Sequence, residues 1–264
     1  MNRPNAQAAA DEFDTWATSG RAESMADGHR GVTEAAIRNW TIQPGCTVLD
    51  VGCGNGWAVR ELIERGAGRG LGVDISPKMI ARAASMTEGD PRFLFQVAAA
   101  EQLPFVDGSV DHLLNVESLY YYPDPSLALT EWARVAAPGG NLAVVVDLYE
   151  ENPATHTWID ALDIDVHLLS APQIVSMAQQ AGWKDVRWEQ VLDPRPITAE
   201  ENFEISKYWP SYEMYLSYRK PVRLSSTPPV DSETQVGIPS TTPHTTATLI
   251  RVSHVTITFT RTLS

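Results

Sequence analysis

Residues Val48 to Gly56 read VLDVGCGNG, and Gly72 to Ser76 read GVDIS. The first stretch closes a short β run, Thr47 to Val51, and opens into a loop with glycines at 52, 54 and 56. Beyond it, Ala58, Val59, Leu62 and Ile63 mark one face of a helix, with Gly66 as its C-cap. Gly70 to Asp74 reads as a second strand, and Ser76-Pro77 as the N-cap and first residue of the next helix. Phe93 to Val97 and Val110 to Val116 read as third and fourth strands. Asp124-Pro125 repeats the cap-and-proline signal before a helix carrying Leu127, Leu129, Trp132 and Val135. Pro138-Gly139-Gly140 is expected to stop that helix, and the apolar run Leu142 to Val146 suits a buried central strand. Strands alternating with helices over about 100 residues predict βαβ units with right-handed crossovers. The expected class is α/β, a doubly wound, mostly parallel sheet with helices on both faces.

Working outward, Phe13 and Trp16 lie three apart in a helical stretch, and Gly20 and Gly28 are expected to break it. Val32, Ala35, Ala36 and Trp40 then predict a second helix ending before Pro44. Residues 1–40 thus form a helical N-terminal lid on a core of residues 41–192. After Asp147, a short helix is expected over Thr155 to Leu162, a longer one over Ser170 to Ala181, and a strand over Lys184 to Val191. Residues 193–220 carry Phe203, Tyr208, Trp209, Tyr212, Tyr215 and Tyr218 and read as an aromatic helical insertion, either a buried helix face or a pocket wall. Residues 221–264 begin with a Ser/Thr/Pro-rich linker that cannot form its own core. Val255 to Thr260 alternates as a half-buried antiparallel or edge strand. Either it docks late as the last, antiparallel strand, or the tail is a loosely attached extension.

Among 264 residues, 33 Asp and Glu against 20 Lys and Arg leave a formal net charge of −13. That balance, with no Lys/Arg run, disfavours nucleic acid and anionic membrane as partners. No apolar run approaches the ~18 residues of a membrane span, and the N-terminus lacks a secretory apolar segment. Cys46 and Cys53 make no disulfide scaffold and suit a reducing cytoplasm. Nothing arranges His156 and His167 as metal ligands, and His112 reads as a core histidine. The oligomeric state is left open.

In a parallel sheet, ligands bind beyond the carboxyl ends of the strands, where strand order switches. Glycines in the first loop let a ligand approach the backbone closely. A dinucleotide site needs G-x-G-x-x-G. Here the third of those glycines is replaced by Trp57, whose indole would obstruct the helix approach, so the spacing argues against NAD. The alternative is a ligand without phosphate, carrying an amino-acid moiety and an adenosine. Asp50 can then accept a hydrogen bond from an ammonium group, and Asp74 can take both ribose hydroxyls. Asp50 also has a plainer reading, as a strand-end cap for the next helix.

VLDVGCGNG, GVDIS, AAEQLPF (Ala99 to Phe105) and PGG (Pro138 to Gly140) resemble, as a set, the successive motifs of class I S-adenosylmethionine-dependent methyltransferases. The spacing is similar to the ubiquinone/menaquinone-type branch, over roughly residues 10 to 192. The resemblance implies a Rossmann-like fold with an antiparallel final strand and S-adenosylmethionine as cofactor. It also implies roles for single residues. Gly52, Gly54 and Gly56 would pass under the methionine part, with Asp50 turned to its amino group. Asp74 would hold the ribose, while Ile75 and Met79 pack the adenine face. Ala100 would offer its N–H to the adenine edge beside Glu101. The main chain at Asn115 would meet the methionine amino group. His29-Arg30 matches a His-Arg pair that helps to close the cofactor site, with Arg30 or Arg21 pairing the methionine carboxylate. The chain departs from the family at Ala99, where an aspartate often stands.

Trp16 is either core or a cover for the cofactor. Tyr120, Tyr121 and Tyr122 are either packing or substrate wall, and Asp147 is a cap or a substrate contact. Methyl transfer from a sulfonium is an in-line displacement that needs proximity and a dry site, and a base only if the acceptor loses a proton. By position, the candidate bases are Glu117, His29, Tyr121 and Asp147. The apolar, aromatic cap predicts a small, neutral or weakly polar methyl acceptor. A protein acceptor, a non-catalytic cofactor binder and a nucleotide-linked oxidoreductase stand as alternatives.

Overall fold

The computed structural model describes residues 4–156, 159, 162–196 and 250–260. The strands are β1 (Thr47–Val51), β2 (Arg69–Asp74), β3 (Phe93–Val97), β4 (Val110–Val116), β5 (Ala136–Val146), β6 (Lys184–Pro196) and β7 (Ile250–Thr260). They form one sheet in the order β3-β2-β1-β4-β5-β7-β6. The first five pair in parallel, with Leu49 opposite Leu71 on one side and Leu113 on the other. β7 runs antiparallel to both β5 and β6. The fold is Rossmann-like, and the order in which successive strands are added reverses between β1 and β4.

The helices are α1 (Ala6–Ser19), α2 (Arg21–Ala36), α3 (Trp57–Glu64), α4 (Pro77–Ser85), α5 (Pro125–Val135) and α6 (Ala171–Gln180). Their apolar stripes cover both faces of the sheet. In β5, Leu142, Val144 and Val146 pack in the same cluster as Leu129 of α5 and Ile174 of α6, whereas Ala143 and Val145 join Ala36 of α2 and Leu62 of α3. Alternate residues thus meet opposite layers, which is why that strand is apolar throughout. Trp132 and Trp183 are buried with satisfied indole N–H groups, donating to the Ala100 carbonyl (3.0 Å) and the Leu129 carbonyl (3.1 Å). Ser76 and Asp124 cap α4 and α5 as expected, each accepting from a backbone N–H three residues on.

Several expectations need correction. The N-terminal helices break only at Gly20, which is left-handed at φ +80°; α2 runs on through Gly28 and Gly31. It ends at Ala36, so Trp40 lies beyond it and stacks on His112, which is buried in the core (centroids 4.9 Å apart). Pro138-Gly139-Gly140 does not separate α5 from the next strand. β5 starts directly at Ala136, and an irregular register between Val110 and His112 together with a positive φ at Gly139 absorbs the proline. β6 extends to Pro196, past the expected core boundary at 192. β7 begins at Ile250 and sits inside the sheet rather than at its edge, so the late-docking alternative holds. A 3-10 turn spans Pro153–Thr155, and Ile159 is helical; residues 157, 158, 160 and 161 of the short helix expected over Thr155 to Leu162 lie outside the described residues. The aromatic insertion beyond 196 and the linker also lie outside them. No described helix is long and apolar enough to cross a membrane.

Trp132→Ala should destabilise the fold by about 3–5 kcal/mol, because it empties a fully buried site and unties the Ala100 carbonyl. Urea unfolding followed by circular dichroism checks the size of the effect.

Candidate functional site

β1 and β4 are hydrogen-bonded neighbours, yet the chains leaving them turn to opposite sides, opening a cleft at their carboxyl ends. A cavity of roughly 1070 Å³, counting its open mouth, occupies that position. Its floor is the loop after β1. The N–H groups of Gly52 and Cys53 both donate to the Val73 carbonyl, at 2.8 and 2.9 Å, which fastens the loop to the end of β2. Gly52 has φ +77°, and a Cβ there would come within 2.8 Å of Ser118 Cβ and Tyr122 Oη, so any side chain would displace the turn after β4.

Two carboxyl groups face the cavity from adjacent strand ends. Asp74 is 7% exposed. Its Oδ2 accepts from the Gly54 N–H and its Oδ1 from the Ser76 N–H, each at 2.9 Å. The Ile75 N–H also bonds this carboxyl, and since a carboxylate has about four acceptor positions, capacity remains for a ligand. Asp50 is 2% exposed, and its Oδ1 has no hydrogen-bonding partner among the described residues. Burial, then the Asp74 charge, pushes the Asp50 carboxyl up to about 8. Asp74 is also raised by burial, opposed by the Ser76 and Gly54 N–H groups.

The roof comes from the N-terminal helices. Phe13 and Trp16 of α1, and Met25, Ala26 and His29 of α2, line the cavity. The Trp16 indole donates to Glu12 (2.6 Å), and the Arg21 guanidinium lies 3.8 Å from its ring centroid. Asp14 ties α1 to the start of α4, accepting from Ser76 Oγ (2.5 Å) and the Lys78 N–H (3.1 Å). One side wall carries Ile75, Met79, Ala99, Ala100 and Glu101; the other carries Glu117, Tyr121 and Tyr122 from the turn after β4. Glu117 is 7% exposed and adopts φ +52°. Its Oε2 accepts from Tyr120 Oη and from the Asp147 N–H, each at 3.0 Å. Burial, then the Asp147 charge, holds its carboxyl well above the usual range.

Of the residues singled out from sequence, the structure brings Trp16, His29, Asp50, Gly52, Gly54, Asp74, Ile75, Met79, Ala100, Glu101, Glu117 and Tyr121 to the cavity wall. Four others it places elsewhere. Arg30 points to the α2–α3 surface, bonding Glu61 at 2.6 Å. Gly56 starts α3 and packs where a Cβ would meet the Phe95 ring at 2.7 Å. Asn115 lies beneath the wall, its Nδ2 donating to the Val51 carbonyl (2.8 Å) beside Ser118 Oγ and Tyr122 Oη. Asp147 stands behind Glu117, its carbonyl accepting from Asn152 and Thr155. Sequence reasoning missed Met25 and Ala26 as wall residues. Their signal was the helical spacing Ala22, Met25, Ala26, His29, hidden because Gly28 read as a break. Among the described residues no cluster of three or more His, Cys, Asp or Glu is placed to hold a metal.

Residues 49–144 match the family described as a methyltransferase domain. The chain is 41% identical over 113 residues to 2-methyl-6-phytyl-1,4-hydroquinone methyltransferase of Synechocystis, covering 41% of this chain and 36% of that one. It is 31% identical to the O-methyltransferase rstn1 of Aspergillus nomiae, covering 59% of this chain and 72% of that one. Among solved structures, it resembles the methyltransferase in complex with the Haloferax volcanii Trm112 methyltransferase activator, with TM-score 0.75 and 28% identity, covering 96% of this chain and 98% of that one. The chain spans between 36% and 48% of the length of several curated relatives.

Asp50 ionises at the ordinary aspartate value of 3.8 when exposed and at about 8 in the fold, so folding takes up a proton between these limits. Its contribution to stability is complete below 3.8 and is lost as pH rises to about 8. Denaturant midpoints of the ligand-free protein should fall across that window, and Asp50→Asn should flatten part of the fall. An unaltered slope in the variant contradicts the assignment.

Proposed function

Because the chain belongs to the class I S-adenosylmethionine-dependent methyltransferases, we propose that it methylates a small, neutral or weakly polar molecule with S-adenosylmethionine as donor. One observation carries this reading: a buried Asp50 carboxyl whose Oδ1 lacks a partner among the described residues, set beside the glycine loop on the cavity floor. An orphaned buried acceptor calls for a donor from the ligand, and an ammonium group supplies a charged one. The residues present fit such a cofactor. Asp50 would accept from the amino-acid ammonium, Asp74 would take the ribose hydroxyls with its remaining lone pairs, and Ile75 and Met79 would pack the adenine. The Ala100 N–H would serve the adenine edge, where Ala99 brings no carboxylate.

When bound, S-adenosylmethionine supplies an electrophilic methyl group on a sulfonium. The protein's own part is to hold the acceptor in line with that methyl and to exclude water. Phe13 and Trp16 cover the site from α1, and Tyr121 and Tyr122 line it from the turn after β4. With no Lys or Arg among the described lining residues, the walls suit a neutral acceptor better than an anion. The hydroquinone specificity in the name of the Synechocystis relative favours a phenolic acceptor here. Two free, buried cysteines fit a cytoplasmic setting.

Equilibrium dialysis of the full chain against S-adenosylhomocysteine and against NAD tests the cofactor. S-adenosylhomocysteine should bind and NAD should not. Asp74→Ala should weaken binding by about tenfold or more, since a hydrogen bond to a charged group is worth about 1.5–3 kcal/mol. Retention of full affinity in that variant sinks the reading.

A further inference from the structure

We propose that Glu117 is the base that takes the proton from an acceptor hydroxyl, with Asp147 as the positioning residue behind it, so that methylation occurs on oxygen. The inference rests on the methyl-transfer reading above. Glu117 lines the cavity from the turn after β4, beside Tyr121 and against the residue that follows β5, apart from Asp50 and Asp74 near the ends of β1 and β2. Its backbone is held in the left-handed region at φ +52°, with its N–H donating to the Val145 carbonyl at 2.8 Å. Two donors aim the side chain: Tyr120 Oη and the Asp147 N–H both bond Oε2 at 3.0 Å. The carboxyl is therefore oriented by the protein before any acceptor arrives.

The groups acting on Glu117 are Tyr120 and Tyr121 from its own turn and Asp147 from beyond β5, whose side chain also bonds it; Arg21 of α2 acts on Tyr121. Burial and the Asp147 charge raise the Glu117 carboxyl well above the ordinary range, making its carboxylate a stronger base than a free glutamate. The competing candidates suit the task less well. Burial raises the Tyr121 phenol, so its anion is scarce near neutrality, and Asp147 lies off the cavity wall. His29 sits on the roof with α2.

As the acceptor oxygen takes the methyl group, the new O–C bond forms and the C–S bond breaks, its electron pair staying on sulfur. The O–H proton passes to the Glu117 carboxylate. The sulfonium cation and the Glu117 carboxylate would thus become two neutral groups. Asp147, which is partly exposed, then gives the proton a route to water.

Two readouts test this on the full chain. In the ligand-free protein, carboxyl carbon NMR with Glu117→Gln as the assignment control should show Glu117 titrating above the ordinary glutamate range. Asp147→Asn should lower that midpoint by about one pH unit or more, because a like charge is removed. In turnover with methylhydroquinone as probe acceptor, the acid limb of kcat should move the same way in Asp147→Asn, whereas His29→Asn should keep the wild-type midpoint. Glu117→Gln should lower kcat by about 10²–10⁴-fold, with affinity for S-adenosylhomocysteine kept within about threefold. An ordinary Glu117 titration, an acid limb indifferent to Asp147, or no transfer to the hydroxyl probe overturns the proposal. Failure of the wild-type protein to bind S-adenosylhomocysteine overturns instead the reading on which it rests.

Discussion

A carboxyl group shut away from water with an acceptor atom unmatched costs a folded protein stability, and Asp50 is placed in that position by the hydrogen bonding of β1. The strand is paired on both sides, to β2 and β4, so its last residues cannot swing towards solvent. Asp74, at the end of the neighbouring strand, adds a second carboxyl to the same small volume. A ligand bringing a positive charge and hydroxyl donors would relieve their mutual repulsion and shared desolvation together. The glycine loop, the fork between β1 and β4 and the helical roof enclose that pair and border the same cavity.

The fork is held open by a compact polar knot. Asn115, Ser118 and Tyr122 converge on the Val51 carbonyl, the last one of β1. This fixes where the chain leaves β4 and so where Glu117 and the tyrosines stand. Gly52 passes so close to Ser118 and Tyr122 that the loops after β1 and β4 are shaped against each other. On the other side, the Trp132 indole holds the Ala100 carbonyl from within the core, so a wall residue of the cavity is positioned by a buried helix.

The roof is secured differently. Its ion pairs to α4, Glu23 with Arg82 and Lys78 with Asp14, are partly or largely exposed, and such pairs contribute about 0–1 kcal/mol each. The larger contribution comes from Trp16, Ala17 and Ala22, which are buried against Met79 of α4. The same Met79 borders the cavity, so filling the site and docking the roof draw on one apolar surface.

Local order was legible in the amino-acid sequence alone: the strand carrying Asp50, the glycine turn, the helices capped by Ser76 and Asp124, and a second strand ending in an acid. These features depend on neighbours a few residues apart, where hydrogen bonds and periodicity leave a direct imprint. The α2 helix was obscured because Gly28 and Gly31 lower helix propensity; packing of its Val32 and Ala36 into the core compensates. Arg30 and Asn115 sat at plausible spacings, yet their partners, Glu61 and Val51, are 31 and 64 residues away. Only the folded chain could put Asp147 behind Glu117, or insert β7 between β5 and β6. Pairings of that kind are set by the closing of the whole sheet, because the energy of a strand edge depends on which distant segment reaches it.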